Sequence, residues 1–161
     1  MKSYYNEISS GYEELHREEQ EKKLVIIKKE LGRLNKNTLL LDVGCGTGIT
    51  SDFDCVVYGV DPAQKLLDKA GKKPDFRICA EAENMPFEDN KFDIVISVTA
   101  IQNFHDIGKG LDEIKRVGKE KFVLSFLKKS GKKDLILEEI KKKFDVKKEI
   151  EEEKDVILFC S

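Results

Sequence analysis

Three glycines stand at alternate positions directly after an apolar run, and an aspartate immediately precedes them. The segment Leu39–Gly48 reads LLLDVGCGTG, with Asp42 beside the loop. Glycine lets a backbone turn sharply and lets a ligand approach where a Cβ would clash. A carboxylate at this position favours a cationic ligand over a pyrophosphate, which it would repel. A second carboxylate, Asp61, ends the next apolar run, where it could accept hydrogen bonds from a ribose diol.

Each of these residues also has a purely structural interpretation. Asp61 precedes Pro62, so it could cap the helix that we predict from this point. Asp42 could simply bond to the loop amides, and the glycines could serve only the turn. The spacing GxGxG also differs from the dinucleotide fingerprint GxGxxG, which needs a glycine where this chain has Ile49. A single glycine loop therefore does not identify a ligand.

The elements that position these residues follow from the hydrophobic pattern. Residues 12–34 have apolar side chains at helical spacing and end at a glycine, which predicts an amphipathic helix. Continuous apolar runs at 38–43 and 55–60 are typical of strands buried on both faces of a parallel sheet. Further strands are predicted at 75–79, 92–98, 121–127, 146–150 and 156–160, and helices at 62–70, 106–117 and 134–144.

This alternation predicts an α/β fold, a three-layer sandwich around a seven-stranded and mostly parallel sheet. The last two strands are separated only by residues 151–154, so we expect a C-terminal antiparallel hairpin. We predict a single domain over 1–161, with an N-terminal helical segment at 1–36 and a core at 37–161.

One connection is unusually short. Only residues 44–54 link the first two predicted strands, so the first crossover helix must be cut to one or two turns. We expect this to leave an apolar patch near Val43, Val56 and Val57. Either the N-terminal helix or a partner chain would have to cover such a patch.

Several segments, taken in order, resemble motifs of the class I S-adenosylmethionine-dependent methyltransferases. LDVGCGTG resembles the first motif, GVDPAQKLLDKA the second, and AEAENMPFEDNKFDIVIS the third and fourth. LDEIKRVGKEKFVLSF resembles a later helix and strand, so the resemblance covers 38–126. It implies a Rossmann-like fold and S-adenosyl-L-methionine as cofactor, with Glu81 and Ala82 meeting the adenine. The implied cofactor residues are Asp42, Gly44, Cys45, Gly46, Gly48, Asp61, Pro62, Glu81, Ala82 and Ser97.

The acceptor side is less defined, and no catalytic residue can be assigned. Methyl transfer from a sulfonium depends mainly on alignment, and it needs a base only if the acceptor must lose a proton. Asn103 and His105 are the catalytic candidates, although a single histidine beside Asp106 is more often a helix-capping group. Phe104 could stack on a base or belong to the core, and the resemblance implies that Tyr5 and Tyr12 close over the site.

Charge is unevenly distributed along the chain. The net charge is −2, yet residues 109–148 hold 14 Lys and Arg against 7 Asp and Glu. Lys128 and Lys129 follow the fifth predicted strand, at the edge where the site should open. This favours an anionic acceptor such as RNA, and the alternative is a solvated lysine-rich face.

Three functions remain open from the sequence, and we favour the first of them, methyl transfer to RNA. A loose similarity to small-subunit rRNA guanine-N7 methyltransferases implies an rRNA guanine as acceptor and a small activator protein as partner, with a homodimer as another possibility. AEAENMPF also resembles small-molecule methyltransferases of the quinone-biosynthesis type. The third function is a non-catalytic module that binds the cofactor or a partner.

Metal and membrane sites are not expected. The four cysteines form no CxxC pair and have no histidine at ligand spacing. No apolar stretch is long enough to span a bilayer, and the N-terminus lacks the apolar run of a signal peptide. We therefore expect a cytoplasmic protein.

Overall fold

The computed structural model describes the backbone of residues 2–161 and the side chains of residues 11 and 13–161. Four α-helices and two 3₁₀ turns (Ile49–Ser51 and Ile101–Asn103) accompany seven strands. The helices are α1 (Lys2–Leu31), α2 (Gln64–Asp68), α3 (Ile107–Val117) and α4 (Lys133–Lys143). The strands are β1 (Leu39–Val43), β2 (Val56–Asp61), β3 (Phe76–Cys79), β4 (Phe92–Ser97), β5 (Gly118–Leu127), β6 (Val146–Glu151) and β7 (Asp155–Cys160).

All seven strands form one sheet in the order β3-β2-β1-β4-β5-β7-β6. The strands β1 to β5 are parallel, and β7 runs antiparallel to both β5 and β6. The predicted mostly parallel sheet with a C-terminal antiparallel hairpin is thus confirmed. The chain leaves β1 toward β2 on one side and later returns beside β1 as β4. This reversal creates a crevice between the carboxyl ends of β1 and β4, where open α/β sheets bind ligands.

Apolar side chains alternate between two cores, one on each face of the sheet. Leu41 and Val95 point to a core that contains the buried sides of α3 and α4. Leu40 and Ile94 point to the opposite core, which is closed by Leu24 and other residues of α1. The period-2 alternation of strand side chains places successive residues in different layers, as a three-layer sandwich requires.

The short first crossover contains one 3₁₀ turn, Ile49–Ser51, as the sequence predicted. The face that a longer helix would cover is occupied by α1, whose Ile27 is fully buried beside Val57. Val43 lies in the core on the opposite face and is only 1% exposed. The expected apolar patch is therefore wrong at Val43 and Val57, and Val56 is half-buried. No partner chain is needed to cover these valines.

Element boundaries differ from the predictions by more than one residue in three elements. Helix α1 starts earlier and ends at Leu31, where Gly32 adopts a positive φ of 71°. Strand β5 begins at Gly118, because the chain continues directly from α3 into the sheet. Helix α2 covers only Gln64–Asp68, because Pro62 and Ala63 lie outside the helix. Within the described chain, no helix is both long and apolar enough to cross a bilayer.

Replacing Ile27 by alanine tests whether α1 packs on the sheet as an integral part of the core. Removing a fully buried isoleucine side chain should lower the free energy of unfolding by about 2–5 kcal/mol. The matched control is Val25→Ala in the same helix, because Val25 is 67% exposed and its loss should change stability by no more than about 0.5 kcal/mol. Urea denaturation measures both. Equal, small effects would mean that α1 does not close this core.

Candidate active site

A cavity of about 1170 Å³ opens at the carboxyl ends of β1, β2, β3 and β4. Four segments at the ends of these strands line it, namely residues 43–47, 60–62, 80–83 and 98–100. Helix α1 forms the opposite wall with residues between Glu13 and Gln20, and Asn103, Phe104 and His105 complete the rim. The cavity therefore lies at the crevice that the strand order predicts.

The three positions in the loop hold glycine for different structural reasons. All have positive φ, at 78° for Gly44, 52° for Gly46 and 84° for Gly48. A Cβ at Gly44 would collide with Ala100, and one at Gly48 would collide with the backbone carbonyl of Lys73. A Cβ at Gly46 would meet nothing closer than a Leu66 methyl at 3.9 Å, and both residues line the cavity. Gly46 thus leaves space for a ligand, whereas the other two glycines serve packing.

Asp42 lies behind the loop and not on the cavity wall. Its Oδ2 accepts hydrogen bonds from the hydroxyls of Thr50 at 2.8 Å and Ser51 at 2.7 Å. Its Oδ1 has no partner among the described residues, and burial raises the pKa of Asp42 to about 6 against the opposing effect of these hydrogen bonds. The carboxylate therefore holds the short crossover in place, and the expected bonds to loop amides are not observed.

Asp61 faces the cavity and organises the glycine loop. Its Oδ2 accepts from the amide of Gly46 at 2.9 Å, and its Oδ1 accepts from the amide of Ala63 at 2.9 Å. The interpretation as a helix cap is wrong, because α2 starts at Gln64, three residues after Asp61, and Ala63 occupies the cap position. Both oxygens retain lone pairs, so the carboxylate can still accept hydroxyl hydrogen bonds from a sugar.

The loop after β3 brings Glu81 and Ala82 to the cavity, and α3 holds the chain that follows. The side chain of Glu83 accepts from the amide of Asp106 at 2.9 Å, which joins this loop to the start of α3. Glu113 of α3 accepts from the amide of Met85 at 2.9 Å, and a hydrogen bond from Arg116 keeps the pKa of Glu113 below its usual range. Glu113 and Arg116 belong to the segment LDEIKRV that resembles the family motif, but the sequence assigned no role to them or to Glu83.

The residues that could contact the methyl acceptor follow β4. Asn103 and His105 are exposed on the rim, and His105 Nε2 lies 3.8 Å from a carboxylate oxygen of Glu81. Phe104 also lines the cavity, but its ring packs so closely on α3 that a Cβ at Gly110 would overlap it. Most of this ring therefore contributes to the core.

A buried polar network ties α1 to the sheet beside the cavity. Lys23 is 1% exposed, and its ammonium lies 3.0 Å from Oδ1 of Asp155, which is fully buried. Lys23 also donates to Oγ1 of Thr99 at 2.8 Å and to Oε1 of Gln20 at 2.8 Å. Thr99 donates in turn to Oδ2 of Asp155 at 2.6 Å. Thr99 holds this position with a positive φ of 54°, which is rare for a β-branched residue.

The remaining predicted residues lie in several places. Cys45 and Pro62 line the cavity, but Ser97 does not, because its buried hydroxyl donates to the carbonyl of Val43. Lys128 and Lys129 follow β5 outside the cavity wall. The side chains of Tyr5 and Tyr12 lie outside the described residues.

The raised pKa of Asp42 predicts a specific dependence of stability on pH. An unfolded aspartate titrates near pH 3.9, whereas folded Asp42 keeps its proton up to about pH 6. Between these values the folded state binds more protons, so this contribution to stability is lost as pH rises through about 6. The unfolding free energy of the wild type, relative to Asp42→Asn, should therefore fall from pH 4 to pH 7. A pH-independent difference in urea titrations would contradict the assignment.

Comparisons with known proteins agree with this geometry. A family described as a methyltransferase domain matches residues 41–126. An uncharacterized protein of Methanocaldococcus jannaschii is 36% identical over 115 residues, which cover 69% of this chain and 49% of that protein. The chain spans about half the length of the first curated relatives that it matches.

Two further similarities are to an O-methyltransferase and to a methyltransferase bound to an activator. A ubiquinone biosynthesis O-methyltransferase of Azorhizobium caulinodans is 31% identical over 84 residues, or 45% of this chain and 33% of that enzyme. A solved Haloferax volcanii complex of the Trm112 methyltransferase activator with a methyltransferase matches with a TM-score of 0.73 at 14% identity, covering 94% of this chain and 92% of that one. At that identity the structural match shows the fold alone. Because the family match covers more than half of the chain and coincides with the glycine loop and the cavity, the chain belongs to the class I S-adenosylmethionine-dependent methyltransferase family.

Proposed function

We propose that this protein transfers a methyl group from S-adenosylmethionine to an acceptor that enters the cavity beside α1. The observation that carries the proposal is Gly46, whose missing side chain leaves open space in a cavity that also presents the Asp61 carboxylate. When bound, the cofactor supplies a methyl group that its sulfonium has already activated. The residues present fit such a group, because they offer hydrogen-bond acceptors for a sugar and space against a glycine backbone.

The roles of the chain's own residues follow from their positions. Asp61 accepts hydrogen bonds from ribose hydroxyls, and its bond to the Gly46 amide keeps the loop in shape for that task. The loop at Glu81 and Ala82 holds the adenine, with Glu83 and α3 fixing the loop. Helix α1 covers the cavity and limits the access of water. Alignment and exclusion of water are the main requirements of such a transfer.

We propose a small, uncharged or cationic molecule as the acceptor. The charged side chains that line the cavity are mostly acidic, with Glu13, Glu14, Asp61, Glu81 and Glu83 against Arg17 and Lys69. A wall of this charge repels a polyanion and tolerates a small neutral or positive molecule. Asn103 and His105 remain the candidates for contact with the acceptor, since both lie on the rim.

RNA, including a guanine of ribosomal RNA, is the second candidate acceptor. The supporting observation is the lysine cluster of residues 128, 129, 132 and 133 on the same edge of the sheet. Lys132 Nζ lies 3.3 Å from the carbonyl of Gln102, which adjoins the rim residue Asn103. Phosphates bound by this cluster would lie next to the cavity, and a flipped-out base would have to pass the acidic wall.

A protein partner also belongs to the proposal, either a small activator or a second copy of the chain. The Haloferax volcanii methyltransferase that shares this fold forms a complex with the Trm112 activator, which supports an activator as partner. Strand β3 offers one surface for it, because it is a sheet edge that carries the half-exposed Phe76. Exposed sheet edges readily pair with other chains.

Replacing Gly46 by arginine tests the cofactor site. The new side chain fills the cavity, so binding of S-adenosylhomocysteine should become undetectable by isothermal titration calorimetry. The matched control is Gly32→Arg, because Gly32 also has a positive φ and open space around it but lies away from the cavity. The control should bind like the wild type. Unchanged binding by the Gly46 variant would refute the location of the site.

Replacing Lys128, Lys129, Lys132 and Lys133 together by alanine distinguishes the two acceptors. Wild type and variant are incubated with methyl-labelled cofactor and with separate RNA, protein and small-molecule extracts. We expect label in the small-molecule fraction, at the same rate for both proteins. Label in RNA that disappears in the variant would replace our first choice with the second. Cofactor binding without label in any fraction would leave a non-catalytic module.

A further inference from the structure

The side-chain amide of Gln20 has a defined orientation because of its neighbour Lys23. The Lys23 ammonium can only donate hydrogen bonds, and it lies 2.8 Å from Oε1 of Gln20. Thr99 Oγ1 lies 3.4 Å from the same oxygen, but it directs its proton to Asp155. The amide oxygen of Gln20 therefore faces the buried network, and its Nε2 faces the other way.

The Nε2 group of Gln20 has no acceptor among the described residues. Gln20 lines the cavity although it is only 6% exposed. In the described part of the chain no atom accepts a hydrogen bond from Nε2, and Nε2 is not among the buried atoms that lack a partner. Because Gln20 lines the cavity, an exposed Nε2 group is available to a ligand there. A donor pair is thus fixed at this wall before any ligand arrives.

The order of the strands indicates which part of the cofactor meets this donor. The proposed adenine and ribose contacts lie at the ends of β3 and β2, and the sheet continues with β1 and then β4. Gln20 lies over Thr99, directly after β4. A cofactor whose adenosine is held at β3 and β2 therefore extends its amino-acid end toward Gln20. That end carries a carboxylate, which needs donors in a cavity lined mainly by acidic side chains.

We propose that Gln20 binds the carboxylate of the cofactor's amino-acid moiety and that Lys23 is the positioning residue that orients it. This inference rests on the proposed function, since it assumes that the cavity holds S-adenosylmethionine. It assigns a task to the buried Lys23–Asp155 pair, which keeps the Gln20 donor directed into the cavity.

The test compares two ligands that differ in the amino-acid moiety. S-adenosylhomocysteine has this moiety, whereas 5′-methylthioadenosine has the adenosine and the thioether without it. Calorimetry of Gln20→Met should show an about tenfold loss of affinity for the first ligand, equivalent to about 1.4 kcal/mol, and no change for the second. Glu18→Met is the matched control, because this exposed residue of α1 lies outside the cavity wall and should leave both affinities unchanged. Asp61→Asn should lower the affinity for both ligands.

The outcomes separate the two proposals. If the wild type binds neither ligand, the proposed function itself fails. If the wild type binds both and Gln20→Met changes neither affinity, or lowers both equally, the carboxylate assignment alone is overturned. Slower methyl transfer with unchanged affinity for S-adenosylhomocysteine would overturn it too, because Gln20 would then contact the acceptor.

Lys23 is tested with the same ratio of affinities. Lys23→Met alone would leave the Asp155 carboxylate buried without a cation, so the variant is made together with Asp155→Asn to keep the protein folded. We expect a selective loss for S-adenosylhomocysteine, whereas Lys22→Met, at an exposed position of the same helix, should bind both ligands normally. An equal loss for both ligands would indicate a purely structural role and would refute positioning by Lys23.

Discussion

The ion pair between Lys23 and Asp155 is the contact on which the arrangement of the cavity depends. It joins the first helix to the last strand at the edge of the sheet where the cavity opens. Two buried charges lose their hydration, and this cost often exceeds their mutual attraction. Here hydrogen bonds from Thr99 and Ser125 to Asp155, and from Lys23 to Gln20 and Thr99, offset part of that cost. The pair therefore contributes less to overall stability than to fixing where α1 lies.

That position matters because the first crossover is too short to do the same work. A full helix between β1 and β2 would cover one face of the sheet, but this chain has only the 3₁₀ turn that Asp42 holds through Thr50 and Ser51. Helix α1 packs on this face of the sheet instead, with Ile27 in the core. Its earlier residues, between Glu13 and Gln20, extend past the edge of the sheet and form one wall of the cavity. One element thus completes the core and also encloses the site. Loosening α1 would affect both, because Gln20, Lys23 and Ile27 all belong to this helix.

The sequence predicted the strands and the hairpin, which short-range patterns determine. Continuous apolar runs located β1, β2 and β4, and the spacing of 151–154 predicted the hairpin, because these features depend on neighbouring residues. The pairing of Lys23 with Asp155 was not predictable, since the two residues stand at opposite ends of the chain and lysine is rarely buried. The capping role assigned to Asp61 was wrong for a related reason. One of its two amide partners, Gly46, is close in space but precedes it by 15 residues, in the connection between β1 and β2.

Only part of the glycine-loop motif is evidence for a ligand. Gly44 and Gly48 would be required even in a protein that binds nothing, because Ala100 and Lys73 leave no room for a Cβ. Gly46 is different, because its positive φ favours glycine while the space beside it remains open. A residue with no packing reason for lacking a side chain, placed against a carboxylate that faces the same space, is what a ligand requires. The case for a cofactor therefore rests on Gly46 and Asp61 together, and the other loop residues explain how these two are held.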